Sequence, residues 1–218
     1  MRIVYLHGFA SGPQSSKAQF FAGKFRELGV RFDVPELDRG NFEALTISGM
    51  LSVVDETVGQ TAAGEGFAKE RVTLIGSSLG GFVAGLFAER RPELVERLVL
   101  LAPALQFAAR WKLRFTAQQF EEWKALGRAP FYHYGHKREE HLGYSFVEDA
   151  ANYAREPDFP QPGLILHGTE DPVVPVGTSR DFASRHANVQ LVEFPSGHEL
   201  TDVLEPVWAE TAAFLTRS

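Results

Sequence analysis

The chain contains 218 residues, of which 44% are hydrophobic, and it carries a formal net charge of −6 at pH 7. This composition is typical of a folded protein of one domain spanning 1–218, and without a block of Lys or Arg it argues against nucleic acid or a membrane as partner. The absence of cysteine excludes disulfides, thiolate metal sites and cysteine nucleophiles. The apolar runs are too short for a membrane span or a signal peptide, so we expect a cytoplasmic protein.

Short apolar runs alternate with longer helical patterns along the chain. Strands are predicted at 3–6, 32–34, 72–75, 98–101, 164–166 and 190–194, and helices at 16–28, 42–61, 79–90, 178–186 and 202–215. Several of the strand segments are apolar throughout, as expected for strands covered on both faces. The alternation predicts an α/β fold with a doubly wound, mostly parallel sheet of about six strands.

Residues 105–160, here called the cap segment, interrupt this alternation between the fourth and fifth strands. The segment contains twelve aromatic residues, and its eight Lys or Arg residues balance eight Asp or Glu residues. Helices are predicted near 116–126 and 144–155, with no strand between them. We therefore expect a helical cap over one end of the sheet, with Phe107, Trp111 and Trp123 as candidate pocket residues.

The sequence Gly76-Ser77-Ser78-Leu79-Gly80 fits the pattern G-x-S-x-G where a strand gives way to a helix. In this pattern the central serine, Ser78, projects from a sharp turn whose neighbours must be small enough for strand and helix to approach each other. The alternative is that the glycines only allow close packing and that the serines are bystanders. A phosphate-binding loop is disfavoured because no lysine follows the glycines.

A serine becomes a nucleophile when a base that is oriented by an acid takes its proton. Asp171 follows the fifth predicted strand and His198 follows the sixth, so both should reach the sheet edge where Ser78 lies. Taken singly, Asp171 could form a turn before Pro172, and His198 could be a loop or capping histidine; Glu170 is a rival carboxylate. The three residues occur along the chain in the order Ser, Asp, His, and each follows the end of a predicted strand. Together these features favour a Ser-Asp-His triad.

Two backbone amides are candidates for binding an oxyanion. The amide of Leu79 follows the nucleophile at the start of a helix, and the amide of Phe9 follows His7-Gly8 in the loop after the first strand.

The remaining histidines are predicted to have structural roles. His7 and His167 end strands and should form hydrogen bonds. In the sequence HYGHKREEH, His133, His136 and His141 have no compact metal-ligand spacing, so a solvated face of the cap segment is expected. No metal or cofactor is predicted.

These residues resemble the α/β-hydrolase superfamily over essentially the whole chain. More narrowly, YLHGFASGPQSSKAQ is similar to the opening of the compact YqiA-like bacterial esterases. The resemblance implies a carboxylic-ester hydrolase with Ser78 as nucleophile, Asp171 as acid, His198 as base, and Phe9 and Leu79 as oxyanion donors.

The predicted function is a serine carboxylesterase that acts on small-molecule esters of small to medium acyl chain. The balanced charge of the cap segment gives no reason to expect a strongly anionic substrate, so uncharged esters are expected. A thioesterase or an acyl-peptidase with the same triad is the alternative within enzymes. A binding module without catalysis is the alternative from another class, although it would have no need to keep all three triad residues.

Overall fold

The computed structural model describes residues 1–59 and 71–216. The strands in these ranges are β1 (Arg2–Leu6), β2 (Arg31–Asp33), β3 (Val72–Ser77), β4 (Val95–Leu101), β5 (Arg128–His133), β6 (Arg138–Gly143), β7 (Gly163–Gly168) and β8 (Val189–Phe194). The α-helices are α1 (Ser16–Glu27), α2 (Ile47–Gly59), α3 (Leu79–Arg90), α4 (Phe107–Trp111), α5 (Ala117–Leu126), α6 (Ser145–Ala150), α7 (Gly177–Arg185) and α8 (Leu204–Thr216). Short 3₁₀ turns occupy Phe42–Ala44, Lys112–Arg114 and Ala151–Tyr153.

Six strands form one parallel sheet in the order β2-β1-β3-β4-β7-β8. Side chains of β1 alternate between two cores: Ile3 and Tyr5 pack with α1 and α8, whereas Val4 and Leu6 pack with α2 and α3. Because helices cover both faces, the inner strands contain few polar residues. The predicted α/β class and the parallel six-stranded sheet are confirmed.

The helix predicted at 42–61 is interrupted. Asn41 caps the 3₁₀ turn by accepting a hydrogen bond from the Ala44 amide (3.3 Å), and Leu45 then adopts extended backbone angles. Thr46 precedes α2, and its hydroxyl accepts from the amide of Gly49 at 2.9 Å, as an N-cap residue does. Two capping side chains close together therefore divide one apolar pattern into two elements; the predicted end of this helix, at 61, lies outside the described residues.

The prediction of a cap segment without strands is wrong. Helix α5 ends at Gly127, which has a left-handed backbone (φ 72°), and the chain enters an antiparallel hairpin of β5 and β6. The predicted helix at 144–155 is the shorter α6 followed by a 3₁₀ turn, and α4 was not predicted. Burial alternates along β5, with Ala129, Phe131 and His133 on the more buried side.

The hairpin joins the cap segment to the loop that follows β1. The amide of Tyr134 donates to the carbonyl of Ala10 at 2.7 Å, and the ring of Phe9 contacts those of Phe131 and Phe146 at centroid distances of 5.5 and 5.8 Å. The loop after β1 is therefore held between the sheet and the cap segment. None of the helices in the two described ranges has both the length and the apolar character needed to cross a bilayer.

Candidate active site

Ser78 occupies a strained turn between β3 and α3. Its backbone angles are φ 53° and ψ −116°, which residues other than glycine rarely adopt. The surrounding hydrogen bonds fix this conformation: the Ser78 amide donates to Leu101 O at 2.9 Å, and its carbonyl accepts from the amides of Gly81 and Ala104, both at 3.0 Å. The turn therefore presents the Ser78 hydroxyl at the carboxyl edge of the sheet.

The glycines of the pattern lie where a β-carbon cannot fit. A β-carbon on Gly76 would lie 2.5 Å from the carbonyl oxygen of Gly80, and one on Gly80 would overlap the carbonyl oxygens of Leu6 and His7. Close packing and presentation of the serine thus occur together, because the helix reaches this position only if both residues lack side chains.

His198 bridges Ser78 and Asp171. The loop after β8 carries His198, whose Nε2 lies 3.0 Å from Ser78 Oγ. Asp171 lies in the loop after β7, and its Oδ2 is 2.7 Å from Nδ1 of His198. The structure therefore brings together the three residues that were predicted from strand ends, with the imidazole donating to the carboxylate and its other nitrogen free to accept from the serine.

The carboxylate of Asp171 receives several hydrogen bonds. Oδ1 accepts from the amides of Val173 and Val174, both at 2.8 Å, while Oδ2 accepts from His198 and also from His167 Nε2 at 3.1 Å. Burial alone would raise the pKa of Asp171, but the bonds from His167, His198 and Val174 hold this pKa well below its usual range. The rival carboxylate, Glu170, is exposed.

The two histidines that end strands are buried and hydrogen-bonded. His7 Nε2 accepts from the amide of Leu37 at 3.3 Å, and burial lowers the pKa of His7. The hydroxyl of Ser179 lies 2.8 Å from Nδ1 of His167, and Nε2 of His167 lies 2.8 Å from the carbonyl oxygen of Val174 and 3.1 Å from Asp171 Oδ2. The sequence predicted a structural role for His167 but not this contact with the acid; its position four residues before Asp171 was the available signal.

Lys17 was missed by sequence reasoning, although it lies in the motif that resembles the esterases. It is only 7% exposed, and its ammonium donates to the carbonyl of Glu199 at 2.9 Å and to its carboxylate at 3.0 Å. Glu199 directly follows His198, so helix α1 anchors the loop that carries the base.

The two predicted oxyanion donors border the same space as Ser78. Leu79 is the first residue of α3, so its amide has no acceptor within the helix. Phe9 follows Gly8, and a β-carbon on Gly8 would lie 3.5 Å from that of Ser78. Both amides thus belong to backbone that surrounds the serine.

A pocket of about 270 Å³ opens above Ser78. It is lined by Phe9, Ser78, Leu79, Ala104, Gln106, Phe107, Arg110, Trp111, Leu113, Arg114, Pro172, Val173, Val174 and Thr178. Two of the candidate pocket residues, Phe107 and Trp111, lie in this wall. Trp123 does not: it is 2% exposed inside the cap segment, where its indole donates to Leu142 O at 2.9 Å and its ring packs on other aromatic side chains.

The prediction of a solvated histidine face is wrong for His133, which is 1% exposed. His133 Nδ1 accepts from the amide of His136 at 3.1 Å, and the two rings stack 4.0 Å apart. Glu140 lies close enough to complete a possible ligand set, but it already pairs with Arg138 (2.7 Å) and with His136 (3.0 Å). The ligand atoms of His133, His136 and Glu140 lie within 4.8 Å of one another, but Nδ1 of His133 and the carboxylate of Glu140 are engaged in these bonds. His141 is exposed.

Three comparisons with known proteins bear on the family and the fold of this chain. The profile of the family described as "Uncharacterised protein family (UPF0227)" matches residues 2–215. Curated relatives from Bos taurus and Homo sapiens, both named "Palmitoyl-protein thioesterase ABHD10, mitochondrial", are 26% and 27% identical over 196 and 197 residues. These alignments cover 84% of this chain but only 61% of each relative, so the chain spans less than two thirds of their length.

Solved structures of low sequence identity have the same fold. Mouse alpha/beta hydrolase domain-containing protein 10 superposes with a TM-score of 0.78 at 20% identity, covering 98% of this chain and 89% of that one. Est1E from Butyrivibrio proteoclasticus with bound ferulic acid gives 0.77 at 20% identity, covering 99% and 90%. A monoacylglycerol lipase from Paleococcus ferrophilus gives 0.70 at 19% identity, covering 100% and 95%. The chain therefore belongs to the uncharacterised family UPF0227, and its fold is that of the α/β-hydrolase superfamily.

Proposed function

We propose that this protein is a serine hydrolase that cleaves carboxylic esters through an acyl-enzyme on Ser78. The observation that carries the proposal is the continuous hydrogen-bonded series Ser78–His198–Asp171, with links of 3.0 and 2.7 Å, at the mouth of a pocket. Such a series on a strained turn is the arrangement that activates a serine hydroxyl for acyl transfer.

In the first half-reaction, Ser78 Oγ attacks the ester carbonyl while His198 Nε2 takes the hydroxyl proton. The carbonyl oxygen becomes negative in the tetrahedral intermediate, and the amides of Phe9 and Leu79 donate to it. The intermediate then expels the alcohol, which leaves with the proton that His198 returns, and the acyl group stays on Ser78 as an ester.

In the second half-reaction, water replaces the alcohol. His198 removes one proton from the water as its oxygen attacks the acyl carbon, and the same amides stabilise the second oxyanion. Collapse of this intermediate breaks the bond to Ser78 Oγ, which recovers its proton from His198, and the carboxylic acid is released.

Asp171 orients and stabilises the imidazole throughout. Because its pKa is held well below the usual range, its carboxylate remains ionised when His198 becomes positively charged. The bond from His167 and the two backbone amides hold this carboxylate in place, so the imidazole keeps the tautomer in which Nε2 can accept a proton.

Thioester hydrolysis is the second candidate, since the curated relatives carry the name of a palmitoyl-protein thioesterase. A thioester forms the same acyl-enzyme and differs only in the leaving group. A comparison of reaction rates on esters and thioesters, and not the geometry of the site, distinguishes these two activities.

The test compares a butyrate oxygen ester, a butyryl thioester and a butyryl anilide with the wild-type protein, Ser78→Ala and the matched control Ser77→Ala. We expect Ser78→Ala to lower kcat/KM on the preferred substrate by roughly three to six orders of magnitude, while Ser77→Ala has a far smaller effect. Loss of activity in Ser77→Ala with retention in Ser78→Ala would contradict the assignment of the nucleophile. The ratio of ester to thioester turnover then decides which leaving group the site prefers.

A further inference from the structure

We infer that the pocket above Ser78 selects esters that carry an anionic group, a carboxylate or a phosphate, a short distance from the scissile carbonyl. The inference rests on the proposed function, because it concerns the substrate of that same site. Its starting observation is the charge of the pocket wall: Arg110 and Arg114 both line the pocket, and among its described lining residues none is Asp or Glu.

The two arginines differ from the other arginines of the cap segment, which pair with carboxylates of the described chain. Arg128 pairs with Glu43, Arg138 with Glu140, and Arg155 with Glu89. Within the described ranges, no ion pair joins Arg110 or Arg114 to a carboxylate. The balance of eight basic and eight acidic residues over the cap segment therefore does not describe the pocket itself, whose wall carries two arginines and, among its described residues, no carboxylate.

The surroundings of these arginines favour an anionic ligand. Arg110 is half-buried on α4, and the guanidinium of Arg114 lies 5.9 Å from the ring of Trp111, which positions the charge without neutralising it. Phe107 and Trp111 provide an apolar wall, which lowers the local dielectric and strengthens the attraction between an arginine and an anion. Trp111 also contributes a buried indole N–H for which the described chain offers no acceptor.

The negative net charge of the protein contrasts with this positive pocket wall. A protein of net charge −6 repels anions on average, so an anionic substrate gains from a positive patch placed at the entrance to the site. Arginine is also suited to carboxylate and phosphate because its planar fork can donate two parallel hydrogen bonds. The substrate class that fits is an acyl or alcohol group with an apolar spacer and a terminal carboxylate or phosphate.

The experiment compares kcat/KM for matched pairs of esters that differ in one charge. On the acyl side the pair is 4-nitrophenyl hydrogen adipate and 4-nitrophenyl hexanoate, which share a six-carbon chain. On the alcohol side the pair is 4-carboxyphenyl butyrate and 4-carbamoylphenyl butyrate, and a 4-phosphonooxyphenyl ester extends this arm to phosphate. Each rate is divided by the rate of alkaline hydrolysis of the same ester, so that intrinsic reactivity cancels.

We expect the ratio of anionic to neutral ester to exceed about tenfold in at least one arm, which corresponds to about 1.4 kcal/mol. The ratio should fall severalfold when salt is raised from about 0.05 M to about 0.5 M, because salt screens exposed charges. Arg110→Gln and Arg114→Gln should each lower the ratio by roughly five- to tenfold, and Arg110→Lys should retain part of it because the charge remains. Circular dichroism of each variant checks that it is folded.

Arg128→Gln is the matched control, since Arg128 belongs to the cap segment but pairs with Glu43 and does not line the pocket; its ratio should equal that of the wild type. An anionic-to-neutral ratio at or below one in both arms, or a ratio that neither Arg110→Gln nor Arg114→Gln changes, overturns the inference. Hydrolysis of the neutral esters in that case leaves the proposed function intact. If the wild type cleaves no ester or thioester and Ser78 resists acylating probes, the proposed function fails and the inference falls with it.

Discussion

Asp171→Asn is the substitution whose effect the hydrogen bonds of the site define most closely. The asparagine has one oxygen in place of two, so its orientation decides the outcome. Oδ1 of the native carboxylate accepts from two backbone amides at 2.8 Å, and these donors cannot rotate away. The asparagine oxygen should therefore occupy the Oδ1 position, which places the NH₂ group against His198 Nδ1.

The opposite orientation is less favourable, because the preferred one costs only the bond from His167, whose Nε2 also lies 2.8 Å from the carbonyl oxygen of Val174. It would direct the NH₂ group at the amides of Val173 and Val174 and leave two buried donors without acceptors, at about 1–3 kcal/mol each. In the preferred orientation the NH₂ group donates to His198 Nδ1, so the imidazole proton moves to Nε2 and faces the hydroxyl of Ser78. A protonated Nε2 cannot accept the serine proton, and we expect kcat/KM to fall by about 10⁴-fold.

The assay is kcat/KM on a butyrate ester, with Glu170→Gln as the matched control, since Glu170 is the adjacent but exposed carboxylate. Full activity in Asp171→Asn together with a large loss in Glu170→Gln would refute the reasoning and move the acid by one residue. The free energy of unfolding should also depend on the low pKa of Asp171. A carboxyl group whose pKa is lowered by folding stabilises the protein at pH values above its ordinary pKa of about 3.9, and this stabilisation is lost as the pH falls through the pKa of the folded state. The difference in unfolding free energy between wild type and Asp171→Asn should thus be constant near neutral pH and shrink in acid.

Three further predictions concern residues around the site. Lys17→Met should lower kcat about tenfold with a smaller change in KM, because a charge-assisted hydrogen bond to the backbone of the loop that carries the base is lost. Lys24→Met on the same helix should have little effect, since the ammonium of Lys24 pairs with Glu205 of α8 and not with this loop; equal effects would argue against anchoring. Gly80→Ala should reduce stability in urea unfolding by about 1–3 kcal/mol, since its methyl group would overlap two carbonyl oxygens at the end of β1, and unchanged stability would contradict the packing of the turn. In a series of esters of increasing acyl length, Trp111→Ala should move the highest kcat/KM to longer chains because it enlarges the pocket. Trp123→Ala should instead lower the free energy of unfolding by about 3–5 kcal/mol, because Trp123 is buried inside the cap segment. The same shift of chain-length preference in both variants would contradict the placement of Trp123.

The sheet and the three central site residues could be predicted because their determinants are local. Each strand of the parallel sheet is a short apolar run, and in parallel sheets the carboxyl ends of strands share one edge, so Asp171 and His198 could be assigned to the neighbourhood of Ser78 without knowledge of the loops. Residue type, order along the chain and position after a strand were sufficient for this, since Asp171 and His198 lie in the loops that follow strands which the pattern already defined.

The hairpin of the cap segment could not be recognised because its burial depends on distant partners. In β5, with the sequence RAPFYH, the inward positions are occupied by an alanine, a phenylalanine and a histidine, and a proline lies between them, so no simple alternation of hydrophobic and polar residues is visible. The buried ring of His133 contacts that of Phe42, which is about ninety residues earlier in the chain. The same limit applies to the charge of the pocket, since total composition does not reveal which arginines find partners.

Covalent labelling of Ser78 tests the proposed mechanism most directly. The wild-type protein, Ser78→Ala, Ser77→Ala and His198→Gln are treated with a fluorophosphonate, and the adduct is located by mass spectrometry of the digested chain. The hydrogen bonds of the site predict a single adduct on Ser78 in the wild type and in Ser77→Ala, none in Ser78→Ala, and labelling that is slowed by orders of magnitude in His198→Gln. An adduct on Ser77, or continued ester hydrolysis by a protein whose Ser78 is not labelled, would contradict the assignment of Ser78 as the nucleophile.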